Sequence, residues 1–283
     1  MDEKELKALV SLLDDEDNNI ISHVEQKIKS LGHQIIPYLE HECENNLDPE
    51  VQKRLEDLIH NLQFDYLKAQ LISWKDNGGG DLLEGMWLVA SYQYPDLELS
   101  KLRKDLEQIY YEAWLEFKAE VHPFDQVKIL NSVIFSKLKF SANTKNFHAP
   151  GNSMINIALE SRKGNPITLC VIYMLVAQKL KLPVYGVNLP NLFILTYKSN
   201  DLQFYINAFN RGLIFSKTDI DNYIAHLHIN PLEIFYQPCN HIDIVKRALR
   251  NLIISFEKVG EHAKVEEVKD LLASISDGSE IYF

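Results

Sequence analysis

Cysteine is scarce in this chain. Its 283 residues hold three, Cys43, Cys170 and Cys239, widely spaced and with no CxxC pair. That excludes a zinc knuckle or a dithiol redox pair, and a disulfide framework is not expected with so few thiols. Long apolar runs are missing as well, since no stretch approaches the roughly 18 residues of a membrane span. The opening segment, MDEKELKALV, lacks the basic start and apolar run of a signal peptide. Positive charge is outnumbered, with 29 Lys and Arg against 40 Asp and Glu and a net charge of -11. Such a surface repels phosphate backbones, so nucleic-acid binding is not expected as a main role. The expectation is a soluble cytoplasmic protein with no membrane association and no cofactor.

Metal-binding patterns are weak. The run DDEDNNIISHVE ends on Glu25 at the twelfth place, but Asn19 stands where a calcium loop needs Gly. It reads as a solvated junction between helices. His226, His228 and His241, with Cys239, offer a C-x-H pair and no matching second pair, so no metal site is expected.

What is present is an ordinary globular composition, 46% hydrophobic and 24% charged. The first 72 or so residues read as paired helices. Ile20, Val24, Ile28 and Leu31 recur at helical spacing, and Val51, Leu55, Ile59 and Leu62 repeat the pattern 31 residues later. This resembles HEAT-type helical repeats, whose units bury a face only against their neighbours. Asp48 and Pro49 mark a helix start. KDNGGG at 75–80 lacks the GK[ST] of a phosphate loop and reads as a linker. Helices are expected at 82–93 and 99–118, and Trp74, Trp87, Trp114 and the neighbouring tyrosines read mostly as packing between helices.

From His122 the character changes. Helices are expected at 127–138, 152–160 and 166–180, the last strongly apolar and opened by Gly164-Asn165-Pro166. Asn152 and Ser153 read as caps of the helix that begins at Met154. Three β-rich segments follow at 184–188, 192–197 and 202–207, the last two forming a hairpin. Helices at 243–257 and 265–274 read as a tetratricopeptide-like hairpin. The fold class is α+β, predominantly helical. The expected domains are HEAT-like repeats at 1–75, a helical connector at 81–120, a core at 121–238 and a C-terminal hairpin at 239–276.

NSVIFSKLKF, then PGNSMINIALESRKGNPITLCVIYMLVAQKLKLPVYGVNLP, then FYINAFNRG, in this order, resemble the bacterial transglutaminase-like family related to the invasion regulator SirB. The resemblance covers about Leu82 to Leu272. It implies a transglutaminase or papain-like core, a central helix against a small antiparallel sheet. Such a core carries a nucleophilic Cys at the helix start, a His base on the sheet, and an Asp or Asn that orients the His. By that resemblance the three positions are Pro166, Leu192 and Asn207, so the thiol and the imidazole are both missing. Asn191 takes the place of a family Gly beside the His position.

Three functions follow from these readings. The first is a catalytically inactive scaffold or regulator with a protein partner, in an oligomeric state the sequence leaves open. The second is a cysteine-dependent hydrolase or acyl transferase using Cys170 in a rearranged site, with His148 as the one imidazole nearby in sequence. The third is a peptide or small-ligand binding module, whose degenerate cleft presents Asn165, Asn191, Asn207 and Asn210.

Overall fold

The computed structural model describes residues 3–15 and 17–276, and Glu16 of the acidic run lies outside them. The chain divides into two compact units, Met1–Gln70 and Leu71–Phe283.

The first unit is all helix: α1 (Glu3–Ser11), α2 (Asn18–Lys29), α3 (Ile36–Asn45) and α4 (Pro49–Asp76), which runs on past the unit boundary. Asp17 caps α2 by accepting from the Asn19 amide, and the Asp48 carboxylate accepts from the Glu50 amide at 2.7 Å, which opens α4. Leu13, Ile28, Leu39 and Leu55 are fully buried at the centre. The 31-residue repeat holds at Val24 and Leu55, both buried, and fails at its first position. There Val51 is 2% exposed and Ile20 is 38% exposed, because Ile21 takes the inward place on α2. The helical repeat is therefore one of spacing more than of matched faces.

In the second unit, α5 (Leu82–Ser91), α6 (Leu99–Glu116) and α7 (Pro123–Asn131) come first. The expected helix at 127–138 continues from α7 as a π-helical turn, Ser132–Lys137. A two-residue strand β1 (Ser141–Ala142) pairs in parallel with β2 (Lys163–Gly164), and α8 (Ile155–Ser161) lies between them. Then comes α9 (Pro166–Lys179), followed by β3 (Val184–Leu189), β4 (Leu192–Lys198), β5 (Gln203–Asn207) and β6 (Leu213–Phe215) in one antiparallel sheet of that order. The helices α10 (Lys217–His226), α11 (His241–Val259) and α12 (His262–Ser274) complete it.

α9 is apolar on every side, and Ile167, Leu169, Cys170, Val171, Ile172, Tyr173 and Met174 are all buried. Only a helix surrounded by protein tolerates that pattern. It packs on β3 and β4, α6, α8 and α11. The sheet is covered on both faces. Val187, Leu189, Ile194 and Tyr205 pack with Ile220 and Ile224 of α10 and with Phe235. The alternate residues of the strands turn the other way, toward α9. Close approach is built in at Gly85, where an added Cβ would lie 2.6 Å from the Trp74 ring and 2.8 Å from Val245.

One local expectation is corrected here. Asn152 and Ser153 do not cap α8, whose first turn has no side-chain cap; their side chains reach instead to the preceding loop and to α9. Packing covers Trp74, which is 5% exposed, and partly covers Trp87, Tyr92 and Tyr110, while Tyr111 and Trp114 of α6 are 55% and 57% exposed.

Candidate functional site

The start of α9 is held by a knot of neutral polar side chains. Asn165 Oδ1 accepts from the Thr168 amide at 2.9 Å, which caps the helix, and Pro166 follows at the first position. Asn165 Nδ2 donates to Ser153 Oγ at 2.9 Å. Thr168 Oγ1 donates to the Asn152 carbonyl at 2.9 Å. The Asn152 carboxamide donates to the carbonyls of Asn146 and Phe147 and accepts from Asn143 at 2.8 Å. Asn152, Ser153, Asn165 and Thr168 are all buried, and their hydrogen bonds to one another and to the loop meet the cost of burying them. Together they fasten residues 143–151 over the start of α9.

That loop carries Phe147 and His148, whose rings meet edge to face at 5.1 Å. Across from them α11 presents Arg247, Asn251 and Ile254, at spacings that share one helix face. Asn191 closes a third side from the β3–β4 turn. Its φ of 58° is the left-handed conformation that Asn tolerates better than other non-glycine residues. Phe193, Asn165 and Pro166 form the floor. The result is an open cleft of about 230 Å³.

Arg247 is only 8% exposed and donates from Nη1 to Asn188 Oδ1 at 3.3 Å. Burial, reinforced by the Arg250 guanidinium, pushes its pKa down.

The family model of the transglutaminase-like superfamily matches residues 100–250. The chain belongs to the transglutaminase-like superfamily. It is similar to two UPF0162 proteins of Xylella fastidiosa, 32% identical in each case, over 60% of this chain and 63% of each relative. The chain thus spans a little under two thirds of these relatives. It is also 25% identical to the F-box only protein 21 of Mus musculus, over 50% of this chain and 24% of that protein. No solved structure matches the chain.

The positions that the sequence resemblance assigns to a nucleophile, a base and an orienting residue lie apart in the structure. Pro166, the first of them, lines the cleft. Leu192, the second, packs with the Val187, Leu189 and Ile194 cluster, and its neighbour Phe193 lines the cleft instead. Asn207 accepts from the Asn210 amide at 3.1 Å and caps the short turn Ala208–Asn210. Of the four carboxamides expected in the cleft, Asn165 and Asn191 line it and Asn207 and Asn210 do not. Sequence reasoning missed Phe147, Arg247, Asn251 and Ile254.

Cys170 sits in the second turn of α9, fully buried, with its thiol 3.6 Å from the Phe193 carbonyl that accepts its hydrogen bond. Burial pushes its pKa up. The Cys239 thiol is pushed up to about 12, chiefly by burial and then by Asp243. A thiol so disfavoured as thiolate is a poor nucleophile. Among the described residues no three His, Cys, Asp or Glu side chains are grouped to hold a metal ion. No described helix is long and apolar enough to cross a membrane.

Proposed function

We propose that this chain is a non-catalytic member of its superfamily that works by binding, as a regulator or scaffold whose degenerate active-site cleft receives a peptide or small ligand. The observation that carries this reading is the open cleft itself. It persists where Pro166 stands in place of a nucleophile, and polar groups from three separate elements converge on it. A cleft kept open by a buried polar network, without the nucleophile and base that would justify it, is what a binding role requires.

A protein partner fits the remaining surface. Tyr111, Trp114 and Leu115 stand exposed together on α6, at spacings that share one face. The SirB relation, the HEAT-like character of residues 1–75 and the tetratricopeptide-like character of 239–276 belong to the same reading, since helical arrays offer extended surfaces to partners. That residues of this kind also occur within 24% of a longer F-box only protein supports a portable module. All three cysteines are free thiols, which suits a reducing cytoplasm.

The test is thiol-dependent peptide hydrolysis and amine incorporation, measured for the wild type and for Cys170→Ala. Neither protein should act above background. Activity in the wild type that disappears in Cys170→Ala would overturn the binding reading and restore the enzyme.

A further inference from the structure

The polar groups that line the cleft at the start of α9 divide into those already engaged and those left open. Asn165 is engaged on both sides, by the Thr168 amide and by Ser153 Oγ. Ser255 Oγ donates to the Asn251 carbonyl at 2.9 Å. Arg247 donates to Asn188 and has further interactions of its own. No Asp or Glu is among the described lining residues. That leaves Asn191, Asn251 and His148, whose side chains make no hydrogen bond to any described residue. Asn191 stands on the β3–β4 turn and Asn251 on α11, so the two open carboxamides come from separate walls.

A carboxamide carries an acceptor oxygen and a donor NH₂. A carboxylate only accepts and an ammonium only donates, so either would leave half of that capacity idle. An amide meets both halves. We propose that this cleft binds one uncharged residue of an extended polypeptide by its main chain. Asn191 and Asn251 pair with a peptide unit, and Phe147, Pro166 and Ile254 receive the apolar side chain beside it. The proposal rests on the binding role proposed above. A trans peptide unit sends its N–H and its C=O in opposite directions, so a single unit reaches carboxamides on two walls. Size narrows the ligand further. A volume of about 230 Å³ is below the roughly 300–1,000 Å³ of sites for whole drug-sized molecules or cofactors, so it suits one residue of a chain. An Asn or Gln side chain shares the amide chemistry but directs both groups from one end, and the probes separate it from the main chain.

The experiment follows the side-chain amide signals of the ¹⁵N-labelled full chain during titration with four probes. N-acetylphenylalanine N-methylamide presents two peptide units. N-acetylphenylalanine methyl ester replaces one N–H by oxygen, N-acetylphenylalanine carries a carboxylate, and propionamide carries a primary carboxamide alone. The methylamide should move the Asn191 and Asn251 signals and bind roughly three- to tenfold more tightly than the ester, as one added hydrogen bond allows. Asn191→Gly keeps the left-handed turn and Asn251→Ala keeps the helix. Each should shrink that margin, read from the carboxamide that remains, with an unchanged circular dichroism spectrum. An ester that binds as tightly as the methylamide, or a margin that survives both substitutions, would overturn the main-chain assignment and leave the binding role standing. Tighter binding of the free acid, or propionamide matching the methylamide, would overturn the assignment in the same way. If no probe moves the cleft signals, the main-chain site and the binding cleft both fall.

Discussion

Asn165 joins three parts of the site at one point. Its oxygen caps α9, its amide nitrogen holds Ser153, and its backbone N–H donates to the Asn152 carbonyl at 3.2 Å. Asn165→Ala should therefore cost about 1–3 kcal/mol, the sum of a lost cap and a Ser153 hydroxyl left without its buried partner. Asn165→Asp keeps the cap acceptor and should cost less, and chemical denaturation of the two variants checks the order. A second residue-scale prediction concerns pH. Tyr236 donates to Asp221 at 2.6 Å, and burial together with that carboxylate pushes its pKa up to about 12 from the usual 10.0. A raised folded pKa means that the contribution is complete below pH 10 and is lost as pH rises toward 12. The stability difference between wild type and Tyr236→Phe should stay constant up to about pH 10 and shrink above it. A difference that grows over that range would contradict the assignment. At this scale Asn165 and Pro166 were legible as a helix start, because cap chemistry is local. The roles of Asn152 and Ser153 were not, since they act 12 to 16 residues away in sequence.

Among the elements, α9 announces itself as the centre of the core by being apolar all round, and β3, β4 and β5 by their β-branched and aromatic runs. β6 has three residues and α10 is short and polar on one side, so neither carries enough periodicity to be seen in the sequence. The wall supplied by α11 was also illegible. Arg247, Asn251 and Ser255 look like the solvent side of an amphipathic helix, and only tertiary packing turns that side into the cleft. The same helix packs on α5 through a glycine. Gly85→Ala would set a Cβ 2.6 Å from Trp74 and 2.8 Å from Val245, and overpacking of that kind costs about 1–3 kcal/mol. Thermal unfolding should register the loss, and an unchanged midpoint would mean that α5 and α11 have room to part.

For the whole molecule, membership of the transglutaminase-like superfamily fixes the fold and leaves the chemistry to the site. The scaffold is a buried helix against an antiparallel sheet, and the positions that the sequence resemblance assigns to a nucleophile and a base hold Pro166 and Leu192. What remains is an aperture with a buried cation and no carboxylate among its described lining residues. The central claim is that this aperture binds and does not catalyse, and Cys170, whose thiol donates to the carbonyl of the lining residue Phe193, decides the matter. The rate of alkylation of Cys170 in the native protein, followed as a function of pH with the half-buried Cys43 and a free cysteine peptide as references, tests it most directly. Burial holds the Cys170 thiol protonated, so alkylation should be slow at every pH that leaves the fold intact and should speed up only on unfolding. Fast alkylation persisting below about pH 7, well under the pKa near 8.5 of a free thiol, would reveal a stabilised thiolate and contradict the account.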